Sequence, residues 1–312
     1  MTQLATIIAP AFGVMAIGFG AASIGVISRA STRWLILFVF NIAIPIMLFY
    51  RIATIQFPRE IAWSFLLGYY ASVLVAYVLG MCFARFTFQR SLAEQSIYGL
   101  GAGFSNTVLL GIPLLVSAFG QEAMVPVFLI IAFHSATLLP VSIFLIQMGR
   151  RSDGSWPEAS IAKIMIEVLA NPIIGGIVLG LASNLTGFTL PGPVDTAGNL
   201  MATVAIPSAL VALGASLAGY KLEGQIGPAS VLAGIKLLVQ PVVAWILLVK
   251  ILGLGAPWAP VAVVMAGMPS GAMVYLFGAR YGAAPEVAAS VVVISSAASV
   301  VTLSVLLALM GA

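Results

Sequence analysis

Two short motifs place glycine and proline inside strongly apolar stretches. They are Gly101-Ala-Gly-Phe-Ser-Asn106-Thr-Val-Leu-Leu-Gly111-Ile-Pro113 and Ala266-Gly267-Met268-Pro269-Ser270-Gly271. Proline removes a backbone donor and clashes with the preceding turn, while glycine lets the chain unwind. We therefore expect a helix that contains either motif to break into two halves, with Pro113 and Pro269 as the first residues of the second halves.

A helix that breaks inside a membrane has a chemical consequence at the break. The N-terminal end of each second half carries unpaired N–H groups and partial positive charge, and such ends bind anions. Freed carbonyls nearby can coordinate a cation or contact a polar group of a substrate. Unwound backbone is tolerated in hydrocarbon only where it lines a cavity or is buried in protein. The motifs therefore predict a binding site where they meet; a pair of structural kinks is the alternative.

The predicted binding residues belong to the two motifs and to one earlier apolar stretch. They are Asn106, Thr107, Gly111, Pro113, Gly267, Met268, Pro269, Ser270 and Asn41. Asn106 could cap the unwound segment or contact a substrate, because an amide buried in a membrane needs hydrogen-bond partners. Asn41 lies one turn before Pro45 and could instead satisfy the carbonyls that this proline frees.

Two ionisable residues lie well inside apolar stretches. Of the two, Lys236 carries a formal charge. It could neutralise a substrate carboxylate, act in place of a coupling cation, or extend its side chain to the inner face of the membrane. His134 is the sole histidine; it could couple transport to protons or be a neutral packing residue. No Asp or Glu lies deep in an apolar stretch. A sodium site would therefore have to use carbonyls, amides and hydroxyls such as those of Ser295, Ser296 and Ser299.

The composition places these motifs in membrane helices. The chain has 312 residues, of which 62% are hydrophobic and only 7% charged, too few charges to cover a water-soluble surface. Long apolar runs without period-two alternation predict helices and exclude a membrane barrel. The ten predicted spans are Leu4–Ile27, Thr32–Tyr50, Ala62–Phe86, Ser91–Phe119, Ala123–Met148, Lys163–Leu185, Leu200–Gly219, Pro228–Leu252, Trp258–Tyr281 and Pro285–Met310.

The basic residues predict the orientation of these spans. With the N-terminus outside, the inner loops hold more of the 13 Lys and Arg residues than the outer loops. The positive-inside rule then places both termini on the outer, periplasmic side of the cell inner membrane. The basic residues occur singly or in pairs beside apolar runs, which is typical of membrane anchors and not of a nucleic-acid-binding surface.

The chain also shows signs of an internal repeat. A polar linker over 151–162, predicted to be cytoplasmic, separates a first five-helix repeat over 1–150 from a second over 163–312. Matching motifs follow at nearly constant offsets: Pro10 with Pro172, Ala43-Ile44-Pro45 with Ala205-Ile206-Pro207, and Gly111-Ile112-Pro113 with Gly267-Met268-Pro269. Because five is odd, the second repeat enters the membrane from the opposite side. Such inverted repeats are typical of secondary transporters.

Three stretches resemble the signature of the auxin efflux carrier family, within the bile acid/auxin carrier superfamily. They are Asn106-x-x-x-x-Gly111-Ile-Pro113-Leu, Phe40-Asn41-x-x-x-Pro45-x-x-Leu48-Phe49 and Lys236-Leu-x-x-x-Pro241. Bacterial members of that family include malonate and malate transporters. The resemblance covers all ten predicted spans and implies two inverted five-helix repeats in which broken helices 4 and 9 cross. It also implies a small carboxylate anion as substrate, with Asn106 as a contact.

These features together predict an all-α membrane protein that is a secondary transporter of a small organic anion, malonate-like or malate-like, working by alternating access. An anion channel and a sodium-coupled carrier of a larger amphipathic anion are the alternatives. Spans one, two, six and seven would form a scaffold and dimer surface, and the other six the transport unit. The expected partners are the anion and the lipid bilayer; a coupling proton or sodium ion and a homodimer stay open.

We expect neither an enzyme nor a cofactor. One His and one Cys cannot make a metal-ligand cluster. Ser105 with His134 loosely resembles the pair of an intramembrane serine protease. The glycine that usually follows such a serine is replaced by Asn106, which disfavours that alternative.

Overall fold

The computed structural model describes residues 2–56, 60–150, 170–220 and 225–311. The described chain is helical, with α1 Thr2–Ser23, α2 Arg29–Phe38, α3 Ile44–Thr54, α4 Ser64–Phe88, α5 Leu92–Gly103, α6 Ile112–Phe119, α7 Met124–Arg150, α8 Pro172–Leu185, α9 Gly192–Ala218, α10 Ile226–Gly234, α11 Gln240–Trp245, α12 Trp258–Ala266, α13 Met273–Arg280 and α14 Pro285–Met310. The predicted linker over 151–162 and the start of the sixth predicted span lie outside the described residues.

Several helical stretches are long and apolar enough to cross a membrane. In the part of the chain that the structure describes there are six: Arg29–Thr54, Ser64–Phe88, Thr107–Arg150, Gly192–Ala218, Ile226–Ile251 and Pro285–Met310. Two shorter apolar helices are Ile8–Ser23 and Pro172–Leu185. Large apolar side chains such as Trp34 and Val301 are exposed, which suits a surface in contact with lipid. The α-helical membrane class is thus confirmed; the count of ten and the repeat stay predictions.

The helices form two compact units, each of which takes helices from both sequence halves. The first unit comprises Met1–Ile8, Ala62–Ser160 and Tyr220–Ala312. The second unit comprises Ala9–Ile61 and Ile161–Gly219. This division matches the two groups of spans that the sequence predicts.

Glycines allow the helices of the second unit to pack backbone against backbone. A Cβ added at Gly180 of α8 would lie 2.7 Å from the carbonyl oxygen of Phe49 in α3, and one at Gly214 of α9 would collide with the carbonyl of Met15 in α1. Close approach through small residues is typical of membrane helices, where packing drives association. The side chain of Asn184 donates to carbonyls at the end of α3, which caps that helix.

Three helices contain a π-helical turn just before a proline. The turns Val39–Ala43, Thr107–Gly111 and Ile235–Val239 precede Pro45, Pro113 and Pro241. In each case the residue before the proline donates its N–H to the carbonyl five residues back. Proline has no N–H and its ring clashes with the carbonyl four residues back, and the wider turn accommodates both effects without ending the helix.

This geometry corrects one expectation for the first motif. Pro113 does not begin the second half of a broken helix, because helical structure already begins at Thr107 and continues through the proline. The interruption lies earlier in the motif, at the residues between α5 and the π-helical turn.

The first unit is held together by polar contacts between otherwise apolar helices. The hydroxyl of Tyr77 in α4 lies 2.9 Å from the Oγ atoms of both Ser96 in α5 and Ser142 in α7. All three residues are buried, so each hydroxyl finds a partner away from water. The network fixes α5 and α7 relative to α4, and α5 leads directly into the interruption of the first motif.

The glycine contacts give a test of the fold. Gly214→Ala should destabilise the protein by ~1–3 kcal/mol, because the new methyl group meets backbone that cannot move aside cheaply. Gly175→Ala is the matched control, since nothing lies within 4 Å of a Cβ there and alanine favours a helix. Thermal unfolding in detergent should show a lower midpoint for Gly214→Ala alone. Equal midpoints for the two variants would contradict the packing.

Candidate functional site

The first break follows α5. This helix begins with a capping box, in which Ser91 and Glu94 satisfy each other's backbone N–H groups, and it ends at Gly103. Phe104 is extended, with φ −83° and ψ 106°. Helical structure resumes at Thr107. The N–H of Phe104 still donates to the last turn of α5 and the carbonyl of Asn106 accepts in the next helical turn, so the backbone groups that need other partners lie between these two bonds.

The second break separates α12 from α13. The helix ends at Ala266 and resumes at Met273, so Gly267, Met268, Pro269 and Ser270 all lie in the unwound segment. Pro269 is thus not the first residue of the second half, as the sequence suggested, but a member of the gap itself. Met268 and Ser270 are fully buried, which places this unwound backbone inside protein, where a membrane tolerates it.

The two breaks are joined to each other by an antiparallel bridge between Ser105 and Ser270. The N–H of Asn106 donates to the carbonyl of Pro269 at 2.8 Å, and the N–H of Gly271 donates to the carbonyl of Phe104 at 2.9 Å. Each unwound segment therefore supplies the partners that the other has lost. We call these two segments, 104–106 and 267–272, the crossing.

A side chain from the next long helix completes the hydrogen bonding at each break. The N–H of Ser105 donates to Nε2 of His134 in α7 at 3.0 Å. The N–H of Ser270 donates to Oγ of Ser295 in α14, also at 3.0 Å. His134 and Ser295 thus have the same role at the two breaks: each accepts a hydrogen bond from the backbone N–H of an unwound serine, one with an imidazole and the other with a hydroxyl.

The role of His134 follows from this contact. An imidazole that accepts at Nε2 is neutral and carries its proton on Nδ1. The side chain is 1% exposed and its Nδ1 has no hydrogen-bond partner among the described residues. This geometry favours the neutral packing alternative, with the added function of holding the first break; proton coupling through His134 stays a prediction.

The same geometry differs from that of a serine nucleophile and its base. The acceptor nitrogen of His134 is occupied by the backbone N–H of Ser105, not by its hydroxyl. The Ser105 hydroxyl instead lies 3.5 Å from the hydroxyl of Tyr69. A general base must reach the proton that it removes, and here the imidazole contacts the wrong atom.

The side-chain amide of Asn106 has one hydrogen-bonded atom and one atom without a hydrogen-bond partner among the described residues. Its Oδ1 accepts from the N–H of Leu109 at 3.2 Å, so it caps the second half-helix as one of the two alternatives predicted. Its Nδ2 is buried and has no acceptor within the described structure, and the residue is 5% exposed. A buried donor without a partner is costly, and an anion at the crossing would supply the missing acceptor.

Lys236 lies beside the second break. Its ammonium donates to Oε1 of Gln240 at 2.7 Å and to the carbonyl of Ala266 at 2.5 Å. The residue is fully buried, so the alternative that it snorkels to the membrane face is wrong. The amide nitrogen of Gln240, Nε2, is also buried, and the described residues offer it no acceptor.

The remaining predicted residues divide between the two units. Thr107, Gly111, Pro113 and Gly267 are buried in the first unit. Asn41 belongs to the second unit, is exposed, and donates from Nδ2 to the carbonyl of Leu37 at 2.8 Å. That carbonyl is not one that Pro45 frees, so both predicted roles of Asn41, pairing with the freed carbonyls and contacting a substrate, stay predictions.

The sequence did not single out Tyr69 or Gln240, and it pointed to Ser105 only as part of a disfavoured serine–histidine pair. The structure shows Gln240 bonded to Lys236, Ser105 to His134 and Tyr69 to Ser105. The one signal available for these contacts was the i, i+4 spacing of Lys236 and Gln240 on a helix. In the ranges that the structure describes, no three His, Cys, Asp or Glu side chains come together to hold a metal ion.

Ser295 provides a test of the crossing. Ser295→Ala should destabilise the protein by ~1–3 kcal/mol, because it leaves the buried N–H of Ser270 without an acceptor. Ser304→Ala is the control, since that hydroxyl lies on the same helix and donates to the nearby carbonyl of Val300. Thermal unfolding in detergent should separate the two variants; a Ser295→Ala protein as stable as Ser304→Ala would speak against the bond.

Comparisons with known proteins identify the family of the chain. Residues 4–307 match the sequence model of a family described as "Membrane transport protein". A "Putative malonate transporter" of Rhizobium meliloti (strain 1021) is 26% identical over 310 residues, covering 98% of this chain and 96% of the relative. "Uncharacterized transporter YfdV" of Escherichia coli (strain K12) is 25% identical over 217 residues, 69% of this chain and 68% of the relative.

A more distant similarity extends to animals. The "Lysosomal cholesterol signaling protein" of Mus musculus is 23% identical over 195 residues, 59% of this chain and 22% of the relative. The family match covers nearly the whole chain and confirms the resemblance drawn from the three motifs. The chain belongs to the membrane transport protein family that includes the auxin efflux carriers.

Proposed function

We propose that this membrane transporter moves a small dicarboxylate of the malonate or malate class by alternating access. The observation that carries the proposal is the unpaired amide nitrogen of Asn106, buried at the junction of two broken helices. A carboxylate oxygen is the acceptor that this donor lacks. The name of the Rhizobium meliloti relative supports malonate as the first substrate to test.

The electrostatics of the crossing favour an anion. Second half-helices begin at Thr107 and Met273, immediately after the joined segments. The first turn of each helix carries partial positive charge and N–H groups without intrahelical partners. An anion near these two turns is stabilised by dipoles that exist before it binds, and no fixed counter-charge is needed. In this arrangement Asn106 orients the carboxylate and the two half-helices neutralise it.

The repeat and topology are part of the same proposal. We infer ten spans in two inverted five-helix repeats, over 1–150 and 163–312, with both termini outside the inner membrane. The matching roles of His134 and Ser295 support the repeat, because each accepts from the unwound serine of the preceding broken helix. The first unit would then move substrate, while the second unit would serve as scaffold and dimer surface.

The direction of transport depends on membrane voltage. Moving one negative charge inward against a negative interior requires ~2.3 kcal/mol per 100 mV. Net uptake of a dicarboxylate therefore needs a favourable concentration gradient or a symported cation, whereas export does not. Exchange of one anion for another needs neither, and so it isolates the binding step from the driving force.

The decisive experiment is counterflow in proteoliposomes. Vesicles loaded with unlabelled malonate should accumulate labelled malonate transiently, and the rate should saturate with concentration. Malate should compete, while a monocarboxylate such as acetate should compete weakly, because it offers one carboxylate instead of two. Single-channel currents without counterflow would point to the anion channel instead. Absence of any saturable carboxylate flux would overturn the proposal.

Substitutions of Asn106 distinguish its role as a helix cap from a role as a substrate contact. Asn106→Asp keeps an oxygen for the N–H of Leu109 and preserves a good cap, but it removes the Nδ2 donor and adds a negative charge. We expect malonate counterflow to be lost in this variant while its unfolding temperature stays near that of the wild type. Asn106→Ala should lose both counterflow and stability, the latter by ~1 kcal/mol. Normal counterflow by Asn106→Asp would remove this residue from the site.

A further inference from the structure

The two breaks differ in how the ends of their first half-helices are satisfied. At the first break, the carbonyl of Gly101 accepts from the hydroxyl of Ser270 at 2.6 Å. At the second break, the carbonyl of Ala266 accepts from the ammonium of Lys236. One carboxyl-terminal end is therefore met by a serine hydroxyl and the other by the side-chain nitrogen of a lysine.

The carboxyl end of a helix is a place that attracts cations. Its last carbonyls have no intrahelical donors and carry partial negative charge. In a broken membrane helix this end is buried, so water cannot satisfy it. At α12 the ammonium of Lys236 lies on the terminal carbonyl, and the side-chain oxygen of Gln240 provides a second ligand. A carbonyl and an amide oxygen are also the kind of hard ligands that hold a small metal cation.

We propose that Lys236 is a built-in cation that occupies a monovalent-cation site at the end of α12. The site would consist of the Ala266 carbonyl and the Gln240 amide oxygen, and its occupant is covalently attached. The inference deepens the proposed function, on which it rests: the anion carrier would need no inorganic cation at the crossing, because it carries its own.

Burial distinguishes this role from direct neutralisation of a substrate. Lys236 is fully buried, and its two hydrogen bonds in the described structure go to groups of the protein. The only ion pair in the described part of the chain joins Arg90 and Glu94 at the start of α5, so no carboxylate of that part neutralises Lys236. The charge is instead offset by the carbonyl end of a broken helix, where a free cation would otherwise sit.

The inference has a consequence for energetics. A symported sodium ion crosses the membrane with the substrate and adds its gradient to the driving force. A tethered ammonium returns with the empty carrier, so it contributes no net charge per cycle and no gradient. Transport by the wild type should therefore be independent of sodium, and removal of the tethered charge should create a requirement for a free one.

Chemical rescue tests the site directly. Lys236→Ala removes three carbons and the nitrogen, which n-propylammonium replaces. In Lys236→Ala, malonate counterflow should fall roughly tenfold, because an ordered buried charge is lost, and n-propylammonium or sodium should restore it. Lys236→Met is the matched control: its neutral side chain fills most of the same space, so neither cation should restore its activity.

A second readout does not depend on transport. In detergent, sodium or n-propylammonium should raise the unfolding temperature of Lys236→Ala by ~2–4 °C, and should leave the wild type and Lys236→Met unchanged. If folded Lys236→Ala can be purified only when one of these cations is present, that dependence counts as rescue of stability by the cation and supports the inference. If neither cation yields folded protein, the inference is overturned.

The outcomes also separate this inference from the proposed function. A wild type without saturable malonate flux would overturn the proposed function, while the thermal measurement would still decide the cation site. Sodium-dependent counterflow by the wild type would overturn the built-in cation and leave the anion carrier standing. An unfolding temperature of Lys236→Ala that responds to neither cation would overturn it as well.

Discussion

Backbone that leaves a helix inside a membrane must find hydrogen-bond partners within the protein, and the bridge between Ser105 and Ser270 answers this constraint. Each unwound segment donates one N–H and offers one carbonyl to the other. Neither break could exist alone in this buried position without unpaired groups. The two interruptions are therefore one structural feature, and the helices around them must keep it in place.

The surrounding helices do so with a small number of polar side chains in an apolar core. His134 and Ser295 each take the N–H of an unwound serine, while Ser270 and Lys236 cover the carbonyl ends of the first half-helices. Once these bonds are made, the groups left over near the crossing include the amide nitrogens of Asn106 and Gln240 and Nδ1 of His134. All three are donors, so each would be satisfied by a hydrogen-bond acceptor, which is consistent with the anion site proposed above.

Sequence reasoning located this region because its signals are local. Glycine and proline inside apolar runs predict interrupted helices, and the low charge of the chain predicts a membrane. It misplaced the break in the first motif because it attributed the interruption to Pro113. The π-helical turn before that proline absorbs the clash, as happens at Pro45 and Pro241, so the helix opens at residues 104–106 instead. The low helix propensity of proline shows that a helix is perturbed near it, but tertiary contacts decide whether the helix bends, widens or breaks.

The partners of the buried polar groups could not be predicted in the same way. That His134 accepts from Ser105, or that Lys236 reaches Ala266, depends on how helices distant in sequence pack together. The sequence is compatible with several roles for a lone buried lysine, and its hydrogen bonds in the fold are needed to distinguish them. Here they place its charge on the carbonyl end of a broken helix, the opposite pole from the half-helix start that Asn106 caps. In the proposed transporter, the lysine at the carbonyl end and the unpaired donors near the amide end would be complementary. An anion could then bind at one pole of the crossing without a free cation at the other.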